Sequence, residues 1–352
     1  MRRILLLVTG ITVVATLAII GFAQASGPNK VVQMAKVGGE GGADYIFADS
    51  EGRRLYIPRS GPARLCVYDL DTMKLVSEIA NAGGHGAAVD PKSGHGFVSG
   101  NPVTMFDAKA LTIIKTIQTE GSPDGILFDP YNQRVWIYSH RAPNATIIDA
   151  KDGSIVGTLD LGGAPEQAVT DGNGHMWVDL EDKDQIVAVD TKTLKVTATY
   201  GLDGKGGGPG GLAFDPKNHI LFASTHTPPM MVMLNADTGK VLDALPIGAG
   251  TDGATFNPNT MEAFSTNGQA GNVTIIKEES PTRFSVEQNL PTMPGARTLT
   301  LDSKTNHVIT MASERAPAPA PPADAPKDAP KGRGGRGATV PGSFTLVVVG
   351  SK

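Results

Sequence analysis

The side chains of this sequence that could do chemistry fall at two sets of regularly spaced positions. The first set reads Asp44, His85, Asp124, Glu166, Gly210, Asp252 and Arg297, at intervals of 41, 39, 42, 44, 42 and 45 residues. Four of these are carboxylates. Like charges held close together raise some carboxylate pKa values, which creates either a proton-carrying acid or a cation site. On that basis Asp124 and Glu166 are the candidates for catalysis, with Asp124 as a general base. Asp44 and Arg297 can also simply pair, and a polar lining for a solvated channel accounts for the same residues without any reaction.

The second set reads Ser60, Asn101, His140, Glu181, His226, Gly268 and Ser313. Its middle members, His140, Glu181 and His226, are two imidazoles and a carboxylate. That donor set suits zinc or non-haem iron and leaves positions open for water or substrate. A divalent metal is therefore the one cofactor the sequence raises. A single ion on all three requires their loops to fold inward, with Asp124 or Glu166 helping.

Other motifs carry less. Gly206, Gly208 and Gly211 match G-x-G-x-x-G but precede a strand, so no helix N-terminus is present for a pyrophosphate. No G-x-S-x-G elbow occurs, so a serine hydrolase lacks its usual cue. Met230, Met231 and Met233 suit a strand core as readily as a soft binding lip.

Bringing residues that lie about 42 apart onto one surface requires a repeat, and the repeat is plain. Short apolar runs end at Asp49, Asp90, Asp129, Asp171, Asp215, Asn257 and Asp302, in contexts such as "AAVDPKSG", "ILFDPYNQ" and "LAFDPKNH". Each is a strand followed by a tight turn. A second strand follows, then a third ending at Asp69, Asp107, Asp149, Asp190 or Asn235, then a turn and a fourth. Four short strands per unit with no helical period predict an all-β, seven-bladed β-propeller of four antiparallel strands per blade. The seventh unit lacks a fourth strand after "FTLVVVG". Val31–Gly39 resembles the fourth strands and is predicted to join that last blade and close the ring, which removes an exposed sheet edge.

These repeats resemble the YVTN or YncE-like seven-bladed propellers over residues 31–350. The likeness rests on "FSTNGQAGNVTII", "WVDLEDKDQIVAVDTKTLKV" and the exits "GGAPEQAVTD" and "GSPDGILFDP". The eponymous tetrapeptide is replaced by Tyr56-Ile57-Pro58-Arg59 in blade one and Trp177-Val178-Asp179-Leu180 in blade four. The resemblance implies the fold and leaves the activity open, since function resides in sites grafted on folds.

Composition sets the compartment and the partners. Arg2 and Arg3, the apolar run Ile4–Ile20 and Ala23-Gln24-Ala25 read as a signal peptide over residues 1–25. Residues 26–352 then form one exported domain, periplasmic or secreted, with no stable membrane span after cleavage. The single Cys66 excludes a disulfide framework. The formal charge of −4 provides no field to attract nucleic acid. A Pro/Ala/Gly-rich stretch, residues 316–342 within the last blade, is expected to be a disordered loop.

The leading expectation is a monomeric, non-catalytic binding propeller. It would take a small-molecule ligand or an envelope protein on a channel face lined by Asp44, His85, Asp124, Glu166, Asp252 and Arg297. The alternatives are a metal-dependent hydrolase of the lactonase type and an accessory subunit of a periplasmic dehydrogenase.

Overall fold

The landmark residues explain why the strands stop where they do. In every repeat the landmark side-chain oxygen accepts a backbone N–H from the following turn, as from Asp90 to Lys92 at 2.9 Å and from Asp215 to Lys217 at 2.9 Å. Asn257 replaces the acid without loss, because its amide oxygen takes the Asn259 N–H at 3.0 Å. The third strands end the same way, with Asp107 accepting from Lys109 and Asn235 from Thr238.

The structure, a computed structural model, describes residues 27–142, 144–317 and 337–351. The expected signal peptide lies outside the described residues, as does 318–336 of the insertion. The described chain forms 28 strands in seven four-stranded antiparallel sheets, a seven-bladed propeller. Blade one contains β2 (Phe47–Asp49), β3 (Arg54–Ser60), β4 (Ala63–Asp69) and β5 (Leu75–Ala80). Blades two to six occupy 87–117, 123–159, 165–201, 209–246 and 251–291. Blade seven contains β26 (Leu299–Asp302), β27 (His307–Ala312) and β28 (Thr345–Ser351).

Its fourth strand is β1 (Asn29–Lys36), paired antiparallel with β28 from Asn29 opposite Ser351 to Lys36 opposite Thr345. The closing strand therefore starts two residues before the expected Val31. It ends before Gly38 and Gly39, whose φ of 65° and 84° turn the chain away from the sheet. The insertion also departs from expectation at its neck. Arg315 bridges Thr339, and the Ala316 N–H donates to the Ala338 carbonyl at 2.8 Å, so both ends of the 316–342 stretch are held by backbone pairing.

Seven apolar clusters hold the ring together, each lying between two adjacent blades. A large residue on each second strand anchors them, among these Tyr56, Phe97, Trp136, Trp177, Phe222 and Phe264, all buried. Fully burying a side chain of this size contributes about 2–3 kcal/mol. Met231 and Met233 are buried in the cluster between blades five and six, and so belong to the core.

The first strands converge so tightly that glycine follows the leading residue in several blades. A β-carbon on Gly125 would stand 2.9 Å from the Glu166 carbonyl, and one on Gly211 2.5 Å from Gly253 backbone. Gln167 spans this crowded centre. Its amide oxygen accepts from Leu212 and Ala254 N–H, both at 3.0 Å, and its amide nitrogen donates to the Ala254 carbonyl at 2.9 Å. One side chain thus ties blades four, five and six. Gln167→Ala leaves those backbone groups without partners and is expected to cost about 3 kcal/mol, measured by denaturant unfolding. A cost below about 1 kcal/mol, the scale of one ordinary hydrogen bond, would show that the clamp is redundant.

Candidate functional site: an acidic channel mouth

Backbone irregularities aim the leading residues at the mouth of the channel. The ladder between first and second strands shifts register between Pro123 and Ile126, Pro165 and Ala168, Pro209 and Gly211, and Thr251 and Ala254. Each shift brackets a leading position: Asp124, Glu166, Gly210 and Asp252. Bulges of this kind bend a strand and redirect its side chains. Asp44, His85 and Arg297 lie just before the first strands of their blades.

The ionisable groups form one continuous chain around most of the ring. Asp252 accepts from Arg297 Nε at 2.6 Å, and Arg297 Nη2 lies 3.1 Å from Asp44. Asp44 meets His85 Nδ1 at 2.8 Å, which lies 3.1 Å from Asp124 Oδ1. Asp124 Oδ2 lies 3.5 Å from His140 Nε2, and that nitrogen lies 3.0 Å from Glu166 Oε2. The Tyr45 hydroxyl donates to Glu166 Oε1 at 3.0 Å from the opposite side of the channel, ending the chain. Acid and base alternate from blade six through seven, one, two and three to four.

The alternation sets the protonation states. The hydrogen bond to Glu166 raises His140 to about 9, against the opposing effect of burial. His85 is raised by its bond to Asp44. Burial would lift Asp44, but the His85 hydrogen bond and the Arg297 charge outweigh it and hold the carboxyl low. Asp124 is pushed up to about 6, first by burial and then by Glu166, with the two imidazoles opposing. Asp252 is raised by burial despite Arg297. Because His140 binds its proton more tightly folded than unfolded, its contribution to stability is complete below about pH 6.5 and disappears as pH rises through about 9. The wild-type melting temperature is therefore expected to fall between pH 7 and 10 more than that of His140→Gln, as differential scanning calorimetry can measure. Equal slopes would remove His140 from that titration.

Blade five supplies no leading side chain, and His226 fills the gap. A β-carbon on Gly210 would stand 2.7 Å from His226 Nε2, so the glycine makes room for the imidazole. His226 Nε2 lies 3.5 Å from Glu181 Oε1. The expected His140, Glu181 and His226 set is thus divided: His140 joins Asp124 and Glu166, while His226 joins Glu181. The reason is radial: second strands stand farther from the axis than first strands, so the loops carrying His140 and His226 do not bring both imidazoles to one point. Two other groups place their ligand atoms within 4.8 Å of one another: Asp44, His85 and Asp124, and Asp124, His140 and Glu166. These mixed carboxylate and imidazole donors fit zinc, manganese or iron, and loading either group would displace the proton its histidine shares with the acids.

Above these residues opens a cavity of about 1060 Å³. Its wall carries the four leading acids together with Glu181, Asp182 and Asp184, against two guanidiniums, Arg297 and Arg315. Asp182 and Asp184 also hold the wall in shape, accepting the Ala164 N–H at 2.7 Å and the Gly208 N–H at 2.6 Å.

The sequence identified Asp44, His85, Asp124, Glu166, Asp252, Arg297, His140, Glu181 and His226, and all lie at this mouth. It missed Tyr45, Gln167, Asp182, Asp184 and Arg315. Tyr45 and Gln167 each directly follow a leading residue, so extending the set by one position would have found them. Asp182 and Asp184 sit in a hairpin whose acids read as ordinary turn residues. Arg315 reaches the mouth only because the insertion's neck is paired.

No family model matches the chain. No curated protein matches it either. Among solved structures, a chain from "Crystal Structure of Mitotic Checkpoint Complex" is similar, with a TM-score of 0.66 and 12% sequence identity over 87% of this chain and 94% of that one. At this identity the likeness speaks for the fold alone, a β-propeller with its central channel.

Proposed function

We propose that this protein is an exported binding propeller of the YVTN or YncE-like kind. Its channel mouth takes a cationic ligand, either a small polyamine-like molecule or a basic segment of an envelope partner. The observation that carries this reading is the excess negative charge of the mouth: among the described residues, seven carboxylates face two guanidiniums and the imidazoles of His140 and His226 in one cavity. Along blades six, seven, one, two and three, acids and bases neutralise one another. In blade four, Glu181, Asp182 and Asp184 add negative charge, and among the described residues His226 and Lys183 pair with them. A cleft lined by one sign of charge focuses its field and concentrates counter-ions. Export is supported by the basic start, apolar run and small-residue site of residues 1–25.

Calorimetric titration of the chain from Ser26 to Lys352 with spermidine and with hexalysine tests this. Saturable binding that weakens steeply from 0.05 to 0.5 M salt is expected, since screening acts on such contacts, with no binding of inorganic phosphate. Absence of binding for both cations at low salt would sink the reading.

The metal-dependent hydrolase remains the second reading, and one observation favours it: two three-residue donor groups sharing Asp124. There the metal would polarise a carbonyl and activate water, while the chain's own acids accept protons. Elemental analysis after loading with zinc or manganese, followed by a lactone turnover assay, separates the two. One retained equivalent with turnover lost in His140→Ala favours the enzyme; no retained metal favours the binding propeller.

A further inference from the structure

A second cavity, of about 430 Å³, lies beside the mouth between blades seven and one. It shares Arg297 and Arg315 with the acidic cavity, while its wall carries a single acid, Glu40. Arg59, the last residue of the tetrapeptide that departs from the repeat pattern, lines it and is 1% exposed. Its Nε and Nη2 donate to the Gly41 carbonyl at 3.2 and 2.8 Å, and its guanidinium carbon sits 4.0 Å above the centre of the Phe344 ring. Nη1 is buried and has no hydrogen-bond partner among the described residues. The neighbouring Arg64 shows the ordinary solution, with Nε 2.9 Å from Glu78. Arg59 has no such acid among the described residues: Glu40 lines the same cavity but is itself exposed and forms no ion pair with it.

A buried charge without a counter-charge is costly, and burial indeed pulls the Arg59 guanidinium below its usual range. Gly39 faces the guanidinium pair: a β-carbon there would stand 4.0 Å from Arg59 Nη1 and 3.2 Å from Arg64 Nη2. Met311, Val340, Pro341 and Phe344 give the wall an apolar side, while Ser313, Thr339 and two further guanidiniums, Arg297 and Arg315, complete it. Guanidiniums set against an apolar wall match an organic anion with a hydrocarbon body, whose apolar part a phosphate lacks.

We propose that this cavity is a binding site for a small organic carboxylate, whose anionic group pairs with Arg59 Nη1 and whose apolar body packs on Phe344, Met311, Val340 and Pro341. Glu166 and Glu181 lie outside its wall, and Glu166→Gln with Glu181→Gln leaves it intact.

The test is a titration of the chain from Ser26 to Lys352 with hexanoate, benzoate and inorganic phosphate, followed by ligand-observed NMR and thermal shift. Saturable binding of hexanoate or benzoate with a rise in melting temperature is expected. Arg59→Met abolishes it, and Arg59→Lys, which loses the planar fork, weakens it by about tenfold or more. In the absence of ligand, Arg59→Met melts no lower than wild type, because it removes an uncompensated charge and keeps the packing on Phe344. No saturable carboxylate binding by the wild type overturns the proposal, and so does binding of phosphate alone. If Arg59→Met does not fold, Arg59→Lys decides, since unchanged affinity in that variant would rule out Arg59 as the receptor.

Discussion

Replacing Glu166 and Glu181 together with Gln is expected to weaken binding of a cationic ligand by about a hundredfold or more. Each carboxylate offers a charge-assisted contact of about 1.5–3 kcal/mol; Glu181 stands where the mouth is least neutralised by its own bases, and Glu166 shares its charge with His140. The fold should tolerate the change. Glu166 receives the Tyr45 hydroxyl on Oε1, and Gln keeps an acceptor there. Glu181 pairs with His226 across 3.5 Å at a surface about a third exposed, where an ion pair adds little stability. His140 loses its main anionic partner and falls back from about 9 towards the ordinary imidazole range. Calorimetry gives the affinity, and circular dichroism shows that the sheet is intact. A change of less than about threefold, too small for even one charge-assisted contact, would show that the ligand ignores this sector.

Deleting Asn29–Lys36 is expected to have the largest effect on stability. Seven residue pairs join β1 to β28, and at about 0.5–1.5 kcal/mol per net hydrogen bond their loss costs on the order of 5 kcal/mol, comparable with the whole stability of many domains. The strand itself buries little, with Val32 and Met34 exposed, so the effect comes from edge pairing rather than packing. Without β1, the Leu346–Val349 run of β28 becomes an unpaired apolar edge, a template for aggregation. Size-exclusion chromatography and thermal melting read the outcome. A monomeric variant that melts within a few degrees of the wild type would mean that the ring does not need this closure.

Much of the architecture was legible before any coordinates. The landmark acids gave the blade count because each performs a local task, capping the turn after a strand, and local tasks leave a local signal. The closing strand was legible because its alternation matched the fourth strands. Its start at Asn29 was not, since edge pairing can extend through any residue with a free backbone N–H and C=O. The leading residues were legible as a set because they share one interval.

Contacts between blades were beyond the sequence. That His140 meets Glu166 rather than Glu181 depends on radial distance from the channel axis, which no spacing along the chain encodes. The seat of His226 over Gly210 arises from the same three-dimensional constraint. Arg59 shows the difference most clearly. As a letter it is a basic residue at a strand end, which solvent would ordinarily hydrate. Only the packing of Phe344 and the Gly38–Gly42 turn around it removes that water and leaves Nη1 without a partner. Repetition along the chain determined the ring and the identity of the residues facing its centre. Burial and convergence of distant segments decided which of them share protons, which balance charge, and which lack a counter-ion, because those energies depend on distance and on excluded water.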